Sequence, residues 1–122
     1  MKVWHVALAA LVSANAISMR AEHVVEIRLH GRYYTEPATI RVTVAVQPDE
    51  ANRTLVVQAD GERMFRSSEV TLEGDKGQRL HTLEFKNLPR GSYVLRAEVY
   101  SRATLRGAAE QELIVGDVGN SQ

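Results

Sequence analysis

Apolar and polar residues alternate at period two along most of this chain, and no stretch beyond residue 20 repeats apolar side chains at the three-and-four spacing of a helix. In Thr39–Val46, TIRVTVAV, the residues Ile40, Val42, Val44 and Val46 face one way, and Thr39, Arg41, Thr43 and Ala45 face the other. A strand with that pattern buries one face and wets the other. The same alternation predicts strands near His23–His30, Thr54–Asp60, Glu62–Arg66, Glu69–Leu72, Leu80–Lys86, Ser92–Tyr100 and Glu110–Val115. Between them lie Gln47-Pro48-Asp49-Glu50, Asp60-Gly61, Glu73-Gly74-Asp75-Lys76-Gly77 and Asn87-Leu88-Pro89-Arg90-Gly91, which have the chemistry of turns. Asp60-Gly61 predicts a tight two-residue hairpin, because both residues tolerate positive φ. Roughly seven short strands with turns at this spacing predict an all-β fold, an antiparallel β-sandwich, with no βαβ unit and no internal repeat.

One segment breaks the pattern. Residues 1–16, MKVWHVALAALVSANA, carry a single charged side chain, Lys2, then an apolar run Val6–Val12 and a small-x-small site at Ala14-Asn15-Ala16. Those are the three parts of a secretory signal. The run is shorter than the roughly 20 residues that cross a bilayer, so no membrane span is expected after cleavage. The expected organisation is a signal peptide at 1–16, a flexible start at 17–22, one sandwich domain at 23–116 and a flexible tail at 117–122. The expected location is periplasmic or secreted.

Composition narrows the chemistry. The 122 residues include no cysteine, which excludes disulfides, thiolate metal sites, cysteine nucleophiles and a lipidated cysteine. Fifteen basic residues balance fifteen acidic ones. That balance does not suit a phosphate-tracking nucleic-acid binder, and no nucleic-acid partner is expected. The twelve Arg and three Lys are interleaved with acids along the strands, a pattern that supports cross-strand pairing and blunts sheet edges.

The stretch Phe85-Lys86-Asn87-Leu88-Pro89-Arg90-Gly91-Ser92-Tyr93-Val94-Leu95-Arg96-Ala97-Glu98-Val99 resembles the approach to the penultimate strand of fibronectin type III and related immunoglobulin-like domains. In those folds a Leu-Pro-x-Gly-x-Tyr turn leads into a long alternating strand, and the Tyr hydroxyl bonds back to the backbone. The resemblance implies an immunoglobulin-like sandwich with Tyr93, Pro89 and Gly91 as its structural corner. Prealbumin-like and carboxypeptidase-regulatory-like sandwiches have a similar turn and stand as alternative subtypes. The chain lacks the core Trp and the cysteine pair of immunoglobulin domains, while other stretches, such as Pro37–Val46, resemble uncharacterised bacterial exported proteins.

No reaction signature emerges. His23 and His30 sit seven residues apart, on opposite faces of any shared strand, and His81 falls on the apolar face with Leu83 and Phe85. A metal site needs three or four converging ligands, so no metal and no cofactor are expected. Ser67-Ser68 lacks a nucleophile elbow and reads as a turn. The acids at Asp49-Glu50, Asp60, Glu62, Glu73 and Asp75 match no calcium loop. The loop of Gly74 and Gly77 is no phosphate cradle, since Gly74 lies between Glu73 and Asp75, acids that would repel phosphate. Asn52-Arg53-Thr54 is an N-glycosylation tripeptide, with Asn52 read as a turn residue.

What remains is the outward face of the strands. With Leu55, Val57, Tyr93, Leu95, Ala97 and Val99 inward, the residues Val56, Val94, Arg96, Glu98, Tyr100 and Ile114 form an outer apolar and aromatic surface around an ion pair. The expected function is therefore a non-enzymatic, exported immunoglobulin-like module for protein interaction or structural spacing. Its partner would be another envelope or extracellular protein, or a glycan. The alternative is a carbohydrate-binding accessory domain, which requires Tyr33, Tyr34 and Tyr100 exposed in line.

Overall fold

The structure, a computed structural model, describes residues 24–117. The segments 1–16 and 17–22 lie outside the described residues, as do His5, His23 and the tail beyond Asp117.

The protein is all-β. Among the described residues the strands are β1 (Val25–Arg28), β2 (Tyr33–Thr35), β3 (Ala38–Val46), β4 (Thr54–Gly61), β5 (Phe65–Thr71), β6 (Leu80–Leu88), β7 (Gly91–Tyr100) and β8 (Leu105–Gly116), with a 3-10 turn at Gly74–Lys76. They form a three-stranded sheet, β1-β3-β6, and a five-stranded sheet, β2-β8-β7-β4-β5. β1 and β2 are successive in sequence but belong to different sheets. β2 runs parallel to β8, so the larger sheet is mixed rather than purely antiparallel.

The alternation explains the core. β3 buries Ala38, Ile40, Val42, Val44 and Val46, while β7 buries Tyr93, Leu95, Ala97 and Val99. The two rows meet between the sheets with Leu55, Val57, Leu113 and Val115. Each fully buried Val or Leu contributes about 1.5–3 kcal/mol. With no cysteine in the chain, this layer and the backbone ladders hold the sheets together.

Three local expectations are corrected. Glu62–Arg66 and Glu69–Leu72 do not form two strands: one strand, β5, runs from Phe65 to Thr71 and pairs with β4. Asp60-Gly61 is not a two-residue turn, because β4 extends through Gly61 and the Gly61 amide closes the loop on the Met64 carbonyl at 2.9 Å. The glycine is needed for space instead. A Cβ at Gly61 would lie 2.5 Å from the Tyr93 ring. The last strand begins at Leu105 rather than near Glu110. The short β2 has no expected counterpart, since three residues are too few to show alternation.

Two irregularities aim side chains. Between β3 and β6, Ala38 pairs with Leu88 and Ile40 with Phe85, so β6 carries one extra residue where Asn87 adopts φ 60°. The bulge twists the free edge of β6, and Arg66 from β5 caps it by donating to the Lys86 carbonyl at 2.5 Å. Between β7 and β8, Val99 pairs with Gly107 and Tyr100 with Leu105, which leaves Arg106 as the extra residue on β8. Its side chain turns toward the end of the molecule, to Asn52 and Asp49.

Candidate functional site

The outer face of the five-stranded sheet is set by the register of β4, β7 and β8. Arg96 lies opposite Gln58 on β4 and Glu110 on β8; Glu98 lies opposite Val56 and Ala108; Val94 lies opposite Asp60 and Glu112. Directly opposite residues share a face. Val56, Val94, Arg96, Glu98 and Tyr100 are therefore placed together on the side away from the core, each half-buried. Ile114, 44% exposed, stands at the far end of that face beside Ser92 and Tyr33.

At its centre is a chain of charge. Arg96 Nε donates to Glu98 at 2.8 Å and its Nη1 to Glu110 at 2.6 Å. The Tyr100 hydroxyl donates to the other Glu98 oxygen at 3.1 Å. These bonds to Glu98 and Glu110 raise the Arg96 pKa above its ordinary value, and partial burial followed by the Glu98 hydrogen bond raises that of Tyr100. Glu110 is the member that a single strand could not announce. Only the pairing of β8 with β7 brings it opposite Arg96.

The rest of the face is acidic. By register, Asp60, Glu69, Glu98, Glu110 and Glu112 all project from this side with Arg96 among them, and Arg32 from the β1–β2 loop lies beside Val94, Glu110 and Glu112. Phe65 and Leu105, 56% and 44% exposed, stand at its margins.

The corner residues lie elsewhere, at the β6–β7 turn. Tyr93 is buried and its hydroxyl donates to the Pro89 carbonyl at 2.6 Å. Burial raises its pKa above 10.0, with Arg66 opposing and Glu36 adding to the shift. Gly91 takes φ +150°, a conformation that suits glycine.

The aromatic line required for the carbohydrate alternative does not form. Tyr33 is beside Ile114, across from Ser92, whereas Tyr100 is at the other end of β7. Eight strand residues separate those positions, about 27 Å at the strand rise. Tyr34 turns back to donate to the Gly31 carbonyl.

Metal-ligand chemistry has no focus among the described residues, where no three His, Cys, Asp or Glu side chains stand close enough to hold an ion. One ring nitrogen of His81 is in hydrogen-bond contact with the Gln78 carbonyl at 3.1 Å. Asn52, read as a turn residue, is a buried hub: its amide nitrogen donates to the Gln47 carbonyl at 2.9 Å and its oxygen accepts from Arg106.

No protein-family model matches the chain, and no curated protein matches it. Solved structures do. The superoxide reductase (neelaredoxin) from Ignicoccus hospitalis aligns at TM-score 0.58 and 20% identity, covering 77% of this chain and 81% of that one. Two variants of the same protein align at TM-scores of 0.60 and 0.59, each 22% identical, covering 84% and 83% of this chain. These neighbours correct the resemblance to immunoglobulin and fibronectin type III domains. The Pro89–Tyr93 turn is a local device that different β folds can share, and it does not fix the topology around it. The expectation of a non-enzymatic immunoglobulin-like spacer is overturned with it, because the structures sharing this architecture are those of an enzyme, and the carbohydrate-binding alternative gains no support. The likeness, at this identity, shows the fold alone: the chain has a β architecture similar to that of these superoxide reductase structures.

Proposed function

We propose that this chain is the scaffold component of a superoxide-directed oxidoreductase, acting with a redox partner that docks on the outer face of the five-stranded sheet. The observation that carries the reading is the fold likeness to superoxide reductase over 84% of the chain.

Reducing superoxide to hydrogen peroxide consumes one electron and two protons per superoxide. An electron-carrying group is therefore required, commonly a metal held by three or more side chains. The described residues do not fit one: the chain has no cysteine, and no three potential ligands converge among residues 24–117. We therefore assign the electron-carrying group to the partner.

The face around Arg96 suits such an encounter. Its five carboxylates favour a partner with a cationic surface, and the apolar Val56, Val94 and Ile114 supply contact once the two proteins meet. Redox encounters of this kind use small, electrostatically steered interfaces. The partner is proposed to be a protein of the envelope or extracellular space, on the strength of the leader-like residues 1–16.

Three experiments separate the parts of the reading. Cells lacking the chain, challenged with a redox-cycling superoxide generator, are expected to lose viability and to regain it on complementation; equal survival overturns the superoxide reading. Complementation with the Val94→Glu, Tyr100→Glu double variant is expected to fail although the variant folds, and full rescue removes the docking face. Purified chain that consumed superoxide with iron(II) alone would move the electron-carrying group from the partner to this chain.

A further inference from the structure

The end of the molecule formed by the β3–β4 loop and the β7–β8 turn has a different character from the acidic face. Here Ala51, Arg53, Ser101 and Arg102 line an open cleft of about 300 Å³. Both arginines lack a carboxylate within 4.0 Å among the described residues, as do Arg32, Arg63, Arg66 and Arg79, whereas Arg28, Arg41, Arg90, Arg96 and Arg106 have at least one each.

Among the acids of the β3–β4 loop, Asp49 is already engaged. One oxygen of Asp49 accepts from the Ala51 amide at 2.8 Å, and the other from Arg106 at 3.2 Å. Arg53 is held in place through Nη1 alone, which donates to the Glu50 carbonyl at 2.5 Å and the Asn52 carbonyl at 2.9 Å. Its Nε and Nη2 donors have no acceptor among the described residues. The turn carrying Arg102 is closed by the Ser101 amide on the Thr104 carbonyl at 2.9 Å, while the Arg53 amide is tied to the Tyr100 carbonyl at 2.8 Å. The backbone segments that carry the two arginines are thus tied to one another.

We propose that this cleft binds a small oxyanion, with the free edge of the Arg53 guanidinium supplying two parallel donors and Arg102 a second positive charge. A fork of parallel N–H groups matches two oxygens of a phosphate or carboxylate, and bonds of this charge-assisted type are about twice as strong as neutral ones. The site is independent of the superoxide reading and of the docking face, which lies on the sheet rather than at its end.

The test is a titration of the full chain followed by proton–nitrogen correlation spectra, with inorganic phosphate, acetate and chloride as separate arms at equal ionic strength. Phosphate or acetate is expected to move the Arg53 Nε–H and the Ala51 and Arg102 amides saturably, while chloride does not; the tighter of the two identifies a phosphoryl or a carboxylate ligand. Arg102→Gln, on an exposed turn, is expected to keep the fold and weaken binding about tenfold. Arg53→Lys keeps the charge but loses the fork, and is expected to weaken it similarly. Shifts equal to those with chloride, or affinity unchanged in Arg102→Gln, overturn the proposal.

Discussion

Arg106 reaches back across fifty-four residues of sequence to donate to the side-chain oxygen of Asn52 at 2.5 Å. The contact depends on the extra residue in β8, which turns Arg106 out of the regular ladder, and on the burial of Asn52, 1% exposed. Asn52 is satisfied on both sides of its amide, by Arg106 and by the Gln47 carbonyl. Replacing Asn52 with Ala leaves both partners without it and is expected to cost about 1–3 kcal/mol. Thermal melting of the purified variant checks this, at about 4–8 °C per kcal/mol for a domain of this size.

The same burial bears on the Asn52-Arg53-Thr54 tripeptide. A nitrogen that already donates inside the fold is not free to accept a glycan, so intact mass spectrometry of the folded protein is expected to show Asn52 unmodified even in a glycosylating host.

Gly61 and Tyr93 give a steric prediction. Ala at position 61 would put its Cβ 2.5 Å from a buried ring whose hydroxyl is tied to Pro89. Over-packing of this kind costs about 1–3 kcal/mol. Denaturant unfolding of Gly61→Ala is expected to show a lower midpoint at unchanged slope, and Tyr93→Leu in the same background should recover part of the clash term.

Tyr93 also gives a pH prediction. Its folded pKa is raised above 10.0 by burial, so the folded state holds the phenol proton more tightly than the unfolded chain does. That contribution is complete below about pH 10 and is lost as pH rises through the folded value. Tyr93→Phe is expected to be less stable than the wild type at neutral pH by about 1 kcal/mol, for the lost hydrogen bond. The gap should narrow above pH 10, and a gap that stayed constant to pH 12 would contradict the burial assignment.

On the outer face, the two ion pairs of Arg96 differ in worth. Glu98 is 13% exposed at its side chain and Glu110 is 56% exposed. Solvent screens the second pair to a few tenths of a kcal/mol at most, whereas the first is worth about 1 kcal/mol. A double-mutant cycle on Arg96 and Glu98 is expected to show the larger coupling, and a cycle on Arg96 and Glu110 one that vanishes in high salt.

Much of the architecture was legible locally. The alternation in Thr39–Val46 and Ser92–Tyr100 placed the buried side chains of β3 and β7, and it placed Val56, Val94, Arg96, Glu98 and Tyr100 on one outward side, because side-chain direction in a strand follows from parity alone. Other features were not legible. Glu110 joins Arg96 only through strand pairing, Arg106 reaches Asn52 only through a bulge, and the cleft of Arg53 and Arg102 exists only where two distant loops meet. The Pro89–Tyr93 turn misled at the level of family, since a five-residue corner constrains its own backbone and not the order of eight strands.

The sequence by itself determined that this chain is made of strands and which side of most of them is apolar, because those properties repeat every second residue and need no partner. The tertiary structure decided which strands are neighbours, that β2 runs parallel to β8, and where the charges meet. Those depend on register and bulges, in which one residue more or less moves every side chain that follows to the other face of the sheet.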